Sequence, residues 1–216
     1  MPIPAGEPDS PELVANWVKE QTRARDPFAH VYRASEEHRQ NHGPDCTVYP
    51  TASGPFLGTL AAATGARRML EVGCGLGYSS LWLAFGSSPD GLVETVEQDA
   101  GHIELAQRHF EQEDCTQRVT VHQGRGAEVL AGLSGPYDLI FCDGDIDEYM
   151  VDLDHFLRLL RLGGLLVTSN LFLAQFAPDI PGLDQAAEYR RRILDDQRLI
   201  TAFLRTGMAL SVRRRG

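Results

Sequence analysis

RRMLEVGCGLGYSSLWLA, residues Arg67 to Ala84, reads as a buried strand, a glycine-rich turn and the opening of a helix. Met69, Leu70 and Val72 supply the apolar strand, and the helix begins near Tyr78. Gly73, Gly75 and Gly77 permit backbone angles that side chains forbid and let a ligand come close to the main chain. The helix N-terminus that follows offers unpaired N–H groups to an anionic ligand group. Strand, glycine turn and helix in this order mark a nucleotide-type site in an α/β domain.

The glycine spacing narrows the ligand. A dinucleotide loop, G-x-G-x-x-G, would need glycine where Tyr78 stands; the chain has Glu71-x-Gly73-x-Gly75-x-Gly77 instead. A second signal is LVETVE, Leu92 to Glu97, a strand ending in a carboxylate 20 residues beyond Gly77. That separation puts an acid at the C-terminal end of the neighbouring strand, where it can accept hydrogen bonds from both hydroxyls of a ribose. The Glu-x-Gly-x-Gly-x-Gly pattern resembles motif I of class I S-adenosylmethionine-dependent methyltransferases.

Composition bounds the rest. The chain has 216 residues, enough for one domain with a substantial core. No run approaches the roughly 20 apolar residues of a membrane span. The start, MPIPAGEPDSPE, is proline-rich and acidic, without the basic and apolar parts of a signal peptide, so the expected location is the cytoplasm. A formal charge of −10 argues against nucleic acid as a partner. Arg190–Arg192 reads as the exposed side of a helix and Arg213–Arg215 as a frayed final strand. Cys46, Cys74, Cys115 and Cys142 form no C-x-x-C pair and show no zinc spacing; Cys74 and Cys142 fall at strand ends beside the expected site, as small buried thiols.

Elements can be placed in order. Ser10 can cap a helix over Pro11 to Thr22, a second runs from Pro27 to about Asn41, and NHGPDCTVYPT is a loop. Ser53 to Thr64 is helical, closed by Gly65. From Arg67 strands and helices alternate, as in a parallel sheet covered on both faces. Asp99 can cap a helix with Ile103, Ala106 and Phe110 inward. Arg118–His122 and Tyr137–Cys142 are further strands, Tyr149–Leu160 a helix closed by Gly163-Gly164, and LLVTS a fifth strand. After a loop over Asn170–Leu183 comes a helix over Asp184–Gln197, then LITAFLRT and MALSVRR as an antiparallel hairpin about Gly207.

With these residues laid out, the chain from Thr47 to Arg215 resembles the catechol and caffeoyl-CoA type of small O-methyltransferase. The resemblance implies a Rossmann-like α/β fold with a seven-stranded, mostly parallel sheet in the order 3-2-1-4-5-7-6, helices on both faces and a C-terminal antiparallel hairpin. The expected domain is single, with residues 1–50 a helical lead-in on the acceptor side and 51–216 the cofactor-binding core. The implied cofactor is S-adenosylmethionine. Its implied binding set is Glu71, Gly73, Cys74, Gly75, Ser79, Glu97, Gln98, Gly126, Ala127 and Asp143. In that set Glu71 and Gly73 line the methionine side, Ser79 meets the methionine carboxylate, Glu97 holds the ribose, and Gly126 and Ala127 meet adenine. Asp143 sits where donor faces acceptor.

The chain also departs from that family. Metal-dependent members carry D-x-x-K-D-x-Y after the fourth strand; here the stretch is Asp143-Gly-Asp-Ile-Asp-Glu-Tyr149, so Ile146 replaces the lysine base. They carry Asp-Asn after the fifth strand; here the pair is Ser169-Asn170, a hydroxyl in place of a carboxylate ligand. Asp145 and Asp147 could restore a metal site or form an exposed acidic loop; the loop is the favoured reading, and no metal ligand is assigned. His42, in a loop expected over the site near Asp45, is the best-placed histidine for proton removal, while His102, His109 and His122 read as surface or packing residues. No catalytic base is assigned. The leading reading is O-methylation of a small phenol- or catechol-like acceptor by a homodimer. A cofactor-binding regulatory relative without turnover is the alternative, and a nicotinamide oxidoreductase the third.

Overall fold

The apolar run before the glycine turn forms β1 (Arg68–Val72), and the turn delivers the chain into α3 (Tyr78–Gly86). Two helices come first, α1 (Ala29–His42) and α2 (Gly54–Thr64), the latter ended by Gly65 in a left-handed conformation. The computed structural model describes residues 24–43, 46–49, 53–172 and 183–215, with residues 17, 20 and 21 in addition. Most of the Pro11–Thr22 helix, the Asp45 carboxylate and most of the Asn170–Leu183 loop lie outside the described residues.

After α3 come β2 (Leu92–Glu97), α4 (Ala100–Gln112), β3 (Val119–Gln123), α5 (Gly126–Gly132) and β4 (Tyr137–Cys142). A 3-10 turn (Ile146–Glu148) leads into α6 (Tyr149–Leu159), followed by β5 (Leu160–Thr168), α7 (Leu183–Asp195), β6 (Leu199–Phe203) and β7 (Ala209–Arg213). The strands form one sheet in the order β3-β2-β1-β4-β5-β7-β6. β1 pairs parallel with β2 and β4, and β7 runs antiparallel to both β5 and β6.

Side chains alternate across the strands, so β1 sends Met69 to one face and Leu70 and Val72 to the other. Met69 joins Leu57, Leu81, Trp82 and Phe110 beneath α2, α3 and α4. Leu70 and Val72 join Ile140, Phe156 and Tyr189 beneath α6 and α7. The sheet is thus buried on both faces, and every parallel strand delivers its C-terminal end to one edge. Ladder bonds continue past the strands there: Gly73 N donates to Val96 O (3.0 Å), Asp143 N to Val72 O (2.8 Å) and Ser169 N to Cys142 O (3.0 Å).

Two expectations need correction. Gly163-Gly164 does not close a helix. The helix stops at Leu159, Leu160 is already extended, and the glycines lie inside β5, where its register against β4 slips between Tyr137 and Leu139. Gly163 has φ 75°, a conformation that suits such an irregularity as well as it would a helix end. Arg213–Arg215 is not frayed either: the Arg213 guanidinium donates to Leu160 O, and Arg214 N donates to Arg198 O at 2.8 Å. No helix among the described residues is long and apolar enough to cross a membrane.

Candidate functional site

The C-terminal ends of β1, β2 and β4 border a cavity that opens to solvent. Its floor is the glycine turn. Gly73 (φ 96°) and Gly75 (φ 52°) lie in the left-handed region, and a Cβ on Gly73 would meet Asp143 O at 2.5 Å. Gly77 (φ 91°) caps α3, so the free N–H groups of the first helical turn, with Ser79 among them, face the same space.

Glu97, 9% exposed, closes one wall. Its Oε2 accepts from Gly75 N (2.8 Å), and its Oε1 accepts from Gln98 N (2.9 Å) and Asp99 N (3.0 Å). Three of the four lone-pair directions of a carboxylate are filled, which fixes the group and leaves an acceptor for a ligand hydroxyl. Burial works to raise its pKa, but the His102 ring and the N–H groups of Asp99 and Gly75 overcome this and hold Glu97 below the usual carboxylate range. It is ionised at neutral pH.

Gly73, Cys74, Gly75, Ser79, Glu97, Gln98, Gly126 and Asp143 all border the cavity. Glu71 and Ala127 do not. Glu71 shares the Met69 face of β1 and is fully buried behind the wall, where Ser80 Oγ and Thr95 Oγ1 (2.6 Å) donate to Oε2 and Oε1 has no partner among the described residues. Burial pushes it up to about 7 against the pull of the Ser79, Ser80 and Thr95 hydroxyls. Ala127 follows Gly126 into α5 and leaves the wall to it.

At the end of β4, Asp143 Oδ1 accepts from the Ser169 hydroxyl and from Asn170 Nδ2 (2.8 Å). Burial pushes Asp143 up to about 6, and these two bonds oppose the rise. Ile146 does not face the cavity at all; it is 7% exposed and packed with Tyr149 and Leu153 in the core. Asp145 and Asp147 are both exposed; Asp145 borders the cavity and accepts from Gln98 Nε2 (3.2 Å), and Asp147 does not border it.

His42 stands away from the cavity wall. It is exposed, stacks on His38 at 4.0 Å between ring centroids, and its Nδ1 donates to His38 O (2.8 Å). His102 is the histidine that borders the cavity, 8% exposed, with Nδ1 3.8 Å from Glu97 Oε1. A signal for it exists in the sequence: it stands three residues after the capping Asp99, whose side chain takes the His102 N–H (2.9 Å), so the first turn of α4 follows directly on the strand-end acid. Before β1, Ser35, Thr47, Val48 and Tyr49 close the cavity from above. Tyr78 Oη donates to Asp26 Oδ2 (2.6 Å), tying that segment to the start of α3.

Among the described residues, Glu97, Asp143, Asp145 and Glu148 border the cavity against the guanidinium of Arg125 alone, which Glu148 pairs. An acidic wall favours a cationic ligand and disfavours a pyrophosphate. The residues fit S-adenosylmethionine on that ground, on the remaining Glu97 acceptor, and on the helix start beside Ser79 for a carboxylate.

A family model described as O-methyltransferase matches residues 28–215. Catechol O-methyltransferase of Mycobacterium tuberculosis is 38% identical over 119 residues, covering 55% of this chain and 54% of that protein. Among solved structures, cofactor-bound Rv0187 from MTB superposes with a TM-score of 0.80 at 28% identity, over 97% of this chain and 100% of that one. The Streptomyces achromogenes O-methyltransferase TomG, solved with S-adenosylmethionine, gives a TM-score of 0.72 at 25% identity, over 91% and 99%.

Proposed function

This chain belongs to the O-methyltransferase family, uses S-adenosylmethionine, and, we propose, methylates a hydroxyl of a small phenol- or catechol-like molecule with Asp143 as proton acceptor. S-adenosylmethionine supplies a methyl group already activated on a sulfonium. The protein then has to bind, orient and deprotonate. Glu97 accepts from the ribose hydroxyls, Ser79 and the first turn of α3 take the methionine carboxylate, and Gly126 lies on the adenine side. The segment over the cavity, with Val48 and Tyr49, excludes water and holds the acceptor in line, which supplies much of the rate.

The observation that carries the assignment of the proton acceptor is the Asp143 cluster. Ser169 and Asn170 both direct donors at Oδ1, which anchors the carboxylate with its second oxygen free of partners among the described residues. A carboxyl raised to about 6 is ionised at neutral pH yet more basic than an ordinary aspartate. The same cluster is a poor fit for a hard divalent cation: one carboxylate, one hydroxyl and one amide replace the usual surplus of carboxylates. Removal of the acceptor hydroxyl's proton is therefore assigned to the Asp143 carboxylate and not to metal-assisted ionisation.

Loss of the lysine position to the core, with Ile146 buried, favours a second reading in which the protein binds the cofactor without turnover. One assay separates them. The full chain is incubated with S-adenosylmethionine and a panel of phenols and catechols, with excess chelator or with magnesium, and S-adenosylhomocysteine is quantified. Turnover in chelator is expected. No product with any acceptor would favour the regulatory reading, and turnover lost in chelator but restored by magnesium would overturn the Asp143 mechanism. The reading also takes the protein to be a cytoplasmic homodimer, for which exposed Ile200 and Val212, paired across β6 and β7, offer an apolar edge; sedimentation tests the dimer.

A further inference from the structure

Three side chains with metal-binding atoms converge where the segment before β1 meets α4. His38 comes from α1, Cys46 from the stretch 46–49 and His102 from the first turn of α4, and one ligand atom from each lies within 4.8 Å of the others. Cys46 and His102 are each 8% exposed. The His38 and His102 rings meet edge to face, 5.1 Å between centroids. His102 Nδ1 is buried, has no hydrogen-bond partner among the described residues and points towards Glu97, 3.8 Å away.

An imidazole that ligates a metal through one nitrogen commonly turns its other N–H towards a carboxylate, and Glu97 stands in that position. A thiolate with two imidazoles is a borderline-soft set that suits zinc and not magnesium or calcium. Around a tetrahedral zinc ion, donor atoms lie ~3.5 Å apart, so three atoms all within 4.8 Å of one another need close by no more than about 1 Å to complete the site.

We propose that His38, Cys46 and His102 form a zinc site that fastens the segment before β1 to α4 beside Glu97. Three protein ligands leave the fourth position to water or to a molecule in the cavity. The ion closes a link between residues far apart in sequence, across the boundary between the covering segment and the core. The site does not depend on methyl transfer, and it is separate from the oxygen cluster at Asp143.

The test uses the full chain, reduced and freed of metal, titrated with Co²⁺ alone. One equivalent should bind with a thiolate-to-cobalt charge-transfer band, and Zn²⁺ should displace it. Cys46→Ser should abolish the band. Partners that touch only the ligands are worth about 10–100-fold, so His38→Gln and His102→Gln should each weaken Zn²⁺ by ~100-fold or more. His155→Gln, on α6, should leave affinity unchanged. Far-UV circular dichroism checks each variant; if His102→Gln unfolds, Cys46→Ser and His38→Gln decide. No band in the wild type, or an undiminished band in Cys46→Ser, overturns the site. An ion held by Asp143 gives no thiolate band. Calorimetry with S-adenosylmethionine on the same samples reads the cofactor site independently, so either result can fail without the other.

Discussion

Glu97 and Asp143 are two carboxylates in one cavity with opposite environments. Backbone N–H groups hold Glu97 ionised, and burial makes Asp143 a stronger base. Glu97→Ala should remove a charge-assisted contact worth ~1.5–3 kcal/mol, weakening S-adenosylmethionine about 10–100-fold by calorimetry. Asp143→Asn should lower kcat ~100-fold or more, in the range for loss of a general base. The sign of the pH effect follows from the role. The base must be ionised, so kcat/KM should climb as pH rises through about 6 and then level off, and the Asp143→Asn profile should lose that limb. An unchanged profile would remove Asp143 from the mechanism. Glu97 stands out in the sequence because it ends a strand, and strand ends are where this architecture binds ligands.

At the scale of elements, α2 and α3 pack through glycines. A Cβ on Gly86 would fall inside contact distance of Gly58 O, and one on Gly58 would meet the Trp82 ring at 2.9 Å. Phe28 then closes on Trp82 edge to face, 5.5 Å between centroids, which seats the start of α1 on the same pair. Gly86→Ala should cost about 1–3 kcal/mol of stability by overpacking, read by chemical denaturation, although the same change in an open helix would stabilise it. Apolar spacing revealed α2 and the glycine turn revealed the start of α3, but neither signal explains a glycine inside a helix. Only their crossing explains why glycine stands there.

Across the whole molecule, buried acids set the response to pH. Glu71 and Asp152 are pushed up to about 7 and Asp143 to about 6, in each case mainly by burial. Each binds a proton more tightly folded than unfolded, so stability should fall as pH rises from about 4.5 to about 7. For Glu71 the rise from 4.5 to about 7 corresponds to ~3 kcal/mol once the group is ionised. Asp90, Asp138, Asp196 and Glu97 are held low, and what they contribute is lost on the acid side, as pH falls through their folded values. Denaturation midpoints should therefore peak on the acid side of neutrality. Glu71→Gln should flatten the decline towards pH 7.5, and an equally steep decline in that variant would assign the effect elsewhere.

The order of elements was legible in the amino-acid sequence, because it follows from local pattern: apolar runs, glycine spacing and turn residues. Glu97, an acid at a strand end, and Ser79, a hydroxyl at a helix start, stand out in the same way, whereas the strand order of the sheet and the place of Asp143 followed from the resemblance to the small O-methyltransferases. Other features needed the fold. Glu71 reads as part of the cavity, but strand alternation turns it beneath α3. Ile146 reads as a lost base, and it is a core residue. Gly163-Gly164 reads as a helix end, and it is a strand irregularity. His102 reads as packing, yet the Asp99 cap turns it into the cavity, within 4.8 Å of His38 and Cys46. Periodicity reports which face of an element is buried. It cannot report what the opposing element places there, and the meeting of α1, the stretch 46–49 and α4 is decided only when the chain closes over the sheet.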